Sequence, residues 1–207
     1  MSQAYYRPKK ARPFQRVPVL KADQARNLID SIKTDSIVGL RDRAIIGLMV
    51  FTFARVSAMV HMEVGDYYEN GHKWWVRLHE KGGKRHEVPA HHLAQEYVHA
   101  YLDAAAIRDE KKSSLFRSVD KHKKITGNAM TRTDVLRMVK RRAVNAGLPS
   151  STSCHTFRAT GITAYLSNGG TLENAAAIAA HESPRTTKLY DRTGDDITLD
   201  EVERIMI

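Results

Sequence analysis

Cysteine is nearly absent from this 207-residue sequence: the one present, Cys154, excludes an intrachain disulfide framework and makes a reducing, cytoplasmic compartment the expectation. Long apolar runs are missing too. The longest, residues 44–54, falls well short of the roughly 20 residues that a spanning helix needs. The opening MSQAYYRPKKARPFQR is basic with no apolar stretch behind it, which argues against a secretory signal. Acidic residues are few beside basic ones, 23 Asp and Glu against 33 Lys and Arg, for a formal net charge of +10. These shortages exclude membrane enzymes, secreted disulfide-rich mini-proteins and purely disordered tails. The basic excess points to a polyanion, most often nucleic acid. The length corresponds to one domain with a tail, on a loose prior of about 150 residues per domain, and is enough to bury a core without disulfides.

Residues 1–18 carry Arg7, Lys9, Lys10, Arg12 and Arg16 with Pro8, Pro13 and Pro18 interleaved. Proline fixes φ and removes a backbone donor, so this stretch reads as a basic N-terminal arm or linker. From Leu20 the pattern turns helical, with Ala22, Ala25, Leu28, Ile29 and Ile32 at three-to-four spacing. A second helix over residues 40–53 is apolar nearly all round, which predicts burial on most sides, and it delivers Arg55 at its end. An arginine placed there is either paired inside the fold or aimed at an anion. A small three-stranded antiparallel sheet follows. Its strands are read from the alternation of Met62, Val64 and Tyr67, of Trp74 through His79, and of Arg85 to Val88, with a turn at Glu69-Asn70-Gly71-His72. Between the second and third strands lies Glu80-Lys81-Gly82-Gly83-Lys84-Arg85, a glycine-containing hairpin tip that carries three cations.

Helices return over residues 93–106 and 135–146. The second carries Arg137, Lys140, Arg141 and Arg142, a basic face suited to a DNA backbone or groove. A further helix over 155–166 puts His155 and Arg158, three residues apart, on one face. His181 and Tyr190 come after it. The fold class is therefore α+β and mostly α-helical, with the small sheet on one side. His91, His92 and His99 lack the spacing of a zinc site, so no metal centre is expected. Cys154 and His155 are neighbours on a helix and point apart, which argues against a Cys–His nucleophile.

Each of these polar residues has a structural explanation when taken singly. The ordered series is more specific: an arginine, a lysine on a hairpin, His-x-x-Arg, a second histidine, and a tyrosine nine residues later. It resembles the catalytic domain of the tyrosine recombinase (phage integrase) family. The matching stretches are Ala54-Arg55-Val56-Ser57, Lys81-Gly82-Gly83-Lys84-Arg85-His86-Glu87-Val88-Pro89, Cys154-His155-Thr156-Phe157-Arg158, Ala180-His181-Glu182-Ser183 and Thr186-Thr187-Lys188-Leu189-Tyr190. The resemblance as a whole runs from about residue 20 to the end. Two positions depart from the family: its acidic residue three positions after the first arginine is Ala58 here, and its glycine before the second histidine is Ala180.

The resemblance implies a DNA strand cleavage and religation enzyme whose catalytic set is Arg55, Lys81, His155, Arg158, His181 and Tyr190. Residue chemistry suits those roles. The planar forks of Arg55 and Arg158 can hold nonbridging phosphate oxygens bidentately, and His181 adds a hydrogen bond to them. Tyr190 Oη is the nucleophile, with His155 as its base. Lys81, with Lys84 as its rival on the same loop, protonates the leaving 5′-oxygen. The product is a 3′-phosphotyrosyl link, and religation needs no cofactor. The family further implies double-stranded DNA as partner, a tetramer on DNA (monomeric when free) exchanging strands through a Holliday junction, and a bacterial, phage or plasmid setting in which mobile DNA is integrated or excised. Residues 19–207 form the catalytic domain, including a C-terminal helix over 198–207 that docks on a neighbouring protomer or on its own domain. Members usually carry an N-terminal DNA-clamping domain where this sequence has the arm, so the sequence is either a piece of a longer protein or a minimal member; if the clamp is absent, weak, salt-sensitive DNA binding is expected. A type IB topoisomerase-like nicking-closing enzyme is the nearest alternative, and His155 argues against it. A non-catalytic DNA-binding module is opposed by the intact six residues, and an RNA-binding protein by the lack of a readable aromatic stacking sheet.

Overall fold

The computed structural model describes residues 18–80 and 83–191. Most of the basic arm (1–17), Lys81 with Gly82, and the expected C-terminal helix at 198–207 lie outside the described residues. α1 (Ala22–Asp30) turns Ala25, Leu28 and Ile29 inward. Ser36 Oγ accepts the Gly39 N–H and so opens α2 (Ile37–Phe51), whose Ala44, Ile45, Ile46, Leu48 and Met49 are all fully buried. The all-round apolar pattern thus makes α2 the central helix, packed between α4 (His92–Ala105) and α6 (Cys154–Ser167). Gly161 lets α6 come this close: a Cβ there would stand 2.1 Å from Val50 O and 2.8 Å from the Phe53 ring. That approach brings the start of α6 against the segment that follows α2.

Beyond α2 the chain makes the short α3 (Val56–Val60) and a single 3₁₀ turn at Val64–Asp66. It then enters the antiparallel sheet β1 (Tyr67–Asn70), β2 (Lys73–His79) and β3 (Arg85–Pro89), ordered β1-β2-β3. Val76 faces Tyr67 on one side and Val88 on the other, which puts three buried residues on the inner face. The first strand begins at Tyr67, not at Met62 as alternation suggested. Asp66 accepts the Glu63 N–H at 2.9 Å, and the Val64 and Gly65 N–H groups donate to Ser113 and Lys111 carbonyls, so local turn chemistry overrides the period-two pattern. A second, two-stranded sheet, β4 (Arg117–Val119) with β5 (Ile125–Ala129), has no counterpart in the sequence reading.

α5 (Arg132–Asn145) starts three residues earlier than its apolar pattern because Thr131 and Asp134 cap each other's backbone N–H groups. Its basic face is partly turned inward. Asp42, fully buried on α2, accepts from Arg141 at 2.9 Å, from Arg142 at 2.8 and 3.0 Å, and from Arg41 at 3.0 Å. Two of the four cations read as a DNA face are therefore bound to a core carboxylate, while the Arg137 side chain remains 78% exposed. The chain ends its described part with α7 (Leu172–Ile178) and α8 (Pro184–Lys188). A small second core of Phe53, Ile162, Leu166, Ala175 and Ala179 joins α6 to α7, with the Tyr190 ring packed on its edge. Among the described residues no helix is long and apolar enough to cross a membrane.

Candidate active site

Arg158 lies one turn into α6 and is 1% exposed, so its donors must be satisfied internally. Nη1 donates to Phe53 O, and Nη2 donates to Ala179 O at 2.6 Å and to His181 Nε2 at 2.7 Å. The backbone beside both carbonyls is left-handed, with φ of 52° at Phe53 and 47° at Ala180. An L-residue in that region costs about 1 kcal/mol or more, and this is the physical reason a glycine suits position 180. Alanine keeps the geometry at the expense of strain. Burial, and after it the charge of Arg55, lower the Arg158 pKa to about 10, so the group stays cationic at neutral pH.

A guanidinium can only donate, so His181 Nε2 accepts and its proton sits on Nδ1, which donates to the buried Thr187 Oγ1 at 2.8 Å. Burial first, then Arg158, Arg55 and His155, bring the His181 pKa down to about 4. The expected donor to a phosphate oxygen is thus a neutral imidazole whose Nε2 lone pair is taken by Arg158. Thr187 stood in the sequence reading only as part of the Thr186–Tyr190 stretch and was given no role of its own.

Tyr190 follows α8. Its Oη stands 2.9 Å from His155 Nε2, its ring runs nearly parallel to His181 (10°, centroids 6.0 Å apart), and its carbonyl accepts from Thr163 Oγ1 at 3.0 Å. His155 occupies the second residue of α6 on an exposed face. Desolvation, then Arg158 and Arg55, lower its pKa, which leaves a neutral nitrogen to receive the phenolic proton. Next to it the buried Cys154 thiol is pushed up to about 11 by burial, a poor nucleophile at neutral pH. His91 stacks on Phe51, and His99 Nε2 lies 2.9 Å from Tyr67 Oη.

Arg55 immediately precedes α3, and its side chain is 41% exposed. Nη1 meets Glu80 Oε2 at 2.5 Å, with the glutamate side chain only 6% exposed. Glu80 was read only as the start of the hairpin tip, with no role at the site. The available signal was an acid at the foot of a cation-rich hairpin tip. Arg55, Ser57, Glu80, Lys84, Arg132 and His181 all line one open cleft of about 700 Å³. Lys81 lies outside the described residues, so Lys84 is the hairpin lysine that the structure places at the cleft. Arg55, Arg158, His155, His181 and Tyr190 are brought together by four separate segments.

A model of the phage integrase family matches residues 18–196. Among curated relatives, the tyrosine recombinase XerD of Staphylococcus aureus (strain N315) is 29% identical over 175 residues, which cover 83% of this chain and 57% of the relative. XerD of Staphylococcus saprophyticus is 28% identical with the same coverage. The chain therefore spans little more than half the length of these relatives. Among solved structures, a XerH site-specific recombinase bound to palindromic difH substrate, a post-cleavage complex, matches with a TM-score of 0.72 at 21% identity, covering 92% of this chain and 54% of that one. XerA recombinase gives a TM-score of 0.69 at 22% identity over 91% and 63%. A lambda integrase dimer bound to a COC′ core site gives 0.67 at 16% identity over 92% and 52%. At these identities the structural likeness is one of fold.

Proposed function

Because the chain belongs to the phage integrase family, we propose that it is the catalytic domain of a site-specific DNA recombinase that cleaves and rejoins strands through a phosphotyrosyl intermediate on Tyr190. The observation that carries this reading is the 2.9 Å contact of Tyr190 Oη with His155 Nε2, beside two arginines and a second histidine. The similar structures of XerH bound to palindromic difH substrate and of a lambda integrase dimer bound to a COC′ core site support double-stranded DNA as the substrate.

A tyrosine with an ordinary pKa near 10 holds only about one phenolate in a thousand at pH 7, so it needs a base in place. In the proposed reaction His155 Nε2 takes the phenolic proton as Oη attacks the phosphorus. Charge then grows on the nonbridging oxygens, where the exposed edge of Arg55 supplies donors and the buried Arg158 supplies positive charge. Preorganised donors of this sort are each worth about 10²–10³ in rate. The 5′-oxygen leaves with a proton from Lys81 or Lys84. Religation reverses these steps: a 5′-hydroxyl displaces Tyr190, and His155 returns the proton to it. The bond energy stays in the phosphotyrosyl ester. On the same reading, Arg55, Lys81, His155, Arg158, His181 and Tyr190 are the catalytic residues, residues 19–207 are the catalytic domain, four protomers exchange strands on DNA, and the protein works in the cytoplasm.

The test is adduct formation on a pool of nicked duplexes with a randomised core, which trap the cleaved state because the short 3′ product strand diffuses away. The expected result is a protein–DNA adduct on a denaturing gel that is lost in Tyr190→Phe. Wild-type chain that binds the pool and forms no adduct would refute the reading.

A further inference from the structure

The guanidinium of Arg55 is held at one end only. Nη1 meets Glu80 Oε2 at 2.5 Å, while its Nε–Nη2 edge makes no hydrogen bond among the described residues, and the side chain, 41% exposed, lines the cleft. Ala58, the third residue of α3, is fully buried and its side chain has no polar atom to offer. The carboxylate comes instead from the end of β2, across 25 residues of sequence. Glu80 is itself well anchored: its side chain is 6% exposed, and its backbone N–H donates to Lys84 O at 2.8 Å, closing the base of the lysine-bearing hairpin. On the other strand of that hairpin, His86 Nε2 donates to Ile178 O at 2.9 Å, which ties β3 to the end of α7.

We propose that Glu80 is the positioning residue for Arg55: it fixes one end of the guanidinium so that the free edge is presented to the scissile phosphate, and it couples that arginine to the hairpin that carries the lysine. This rests on the recombinase reading above. A free arginine side chain loses rotamer entropy each time it must find a phosphate, and a buried carboxylate removes that cost beforehand. Because Glu80 occupies Nη1 alone, it leaves two donors in the fork geometry that suits a phosphate.

The experiment uses the same nicked pool, with single-turnover cleavage measured at saturating DNA and affinity measured separately. Glu80→Gln is expected to slow adduct formation about tenfold or more with affinity changed less than about threefold, and Glu80→Asp to recover part of the rate. In an Arg55→Ala background, Glu80→Gln should cause no further loss, since it acts through the arginine. If the wild type forms adduct and Glu80→Gln does so at the same rate, or if the two losses multiply, the inference is overturned while the recombinase reading stands. If the wild type forms none, both fall. A measurement on the unaltered protein guards against a misfolded variant: nitrogen NMR should show hindered Nη rotation for Arg55 and averaged Nη signals for the exposed Arg137. Averaged signals at both would also overturn the inference.

Discussion

Replacing Gly161 by alanine pits two physical effects of opposite sign against each other. Helix propensity alone favours alanine in a helix interior by about 1 kcal/mol. Packing opposes it, because a Cβ at Gly161 would sit 2.1 Å from Val50 O and 2.8 and 2.9 Å from two Phe53 ring carbons, where ordinary contact is 3.4–4 Å. Val50 O belongs to the backbone of α2 and cannot swing aside as a side chain would. Overpacking a tight core costs about 1–3 kcal/mol, and here the upper end applies before the propensity gain is subtracted. We expect Gly161→Ala to be destabilised by about 2 kcal/mol, which for a chain of this size lowers Tm by about 4–8 °C. Thermal and urea unfolding measure this directly. Gly127→Ala is the matched control, since a Cβ at that position in β5 meets nothing within 4 Å; it should shift stability by less than about 1 kcal/mol. The displacement should also reach the site, because Phe53, pressed by the new methyl, supplies the carbonyl that holds Arg158 Nη1. Adduct formation should therefore slow in Gly161→Ala at temperatures where it remains folded. A variant as stable as the wild type, or more so, would refute the close-approach argument.

Protonating His155 removes its capacity to accept from Tyr190, and its pKa is already lowered by desolvation, Arg158 and Arg55. The cleavage rate should thus hold steady from pH 8 down through the ordinary histidine value near 6.5 and fall only at lower pH, as read by single-turnover rates in buffers of constant ionic strength. His181 contributes in the same direction to stability. Its folded pKa of about 4 is below its unfolded one, so the unfolded chain binds the extra proton, and stability is full above about pH 6.5 and is lost as pH falls toward 4. Urea midpoints across that window should drop less steeply for His181→Gln. Asp42→Asn should cost about 3 kcal/mol or more, because it leaves the buried Arg41 and the half-buried Arg142 without their anion; an unfolding midpoint near that of the wild type would show that the cluster is dispensable.

The helices that carry the site were legible wherever burial imposes a period. α2 is apolar nearly all round because it is central, and α6 was visible from the spacing that puts His155 and Arg158 on one face. The hairpin was legible from alternating residues around a glycine pair. Features made by pairing across long separations left no periodic trace. Asp42 meets Arg141 and Arg142 about a hundred residues away, and Glu80 meets Arg55 from another element, so neither partner is marked by its neighbours in the chain. β4 and β5, of three and five residues with only partial burial, are too short and too exposed to write an alternation. The tautomer of His181 is likewise invisible in sequence, because it depends on Arg158 and Thr187 arriving from opposite sides.

Arg158 fastens the backbone at Phe53 and at Ala179, and these two segments deliver Arg55 and His181 to the walls of the cleft. It acts as a rivet as well as a charge. A form of this protein meant to hold DNA without cutting it is therefore better made at Tyr190, whose hydroxyl can be removed without loosening either wall. Substituting Arg158 would undo both joints at once, and a lost reaction in such a variant would say as much about the shape of the cleft as about its chemistry.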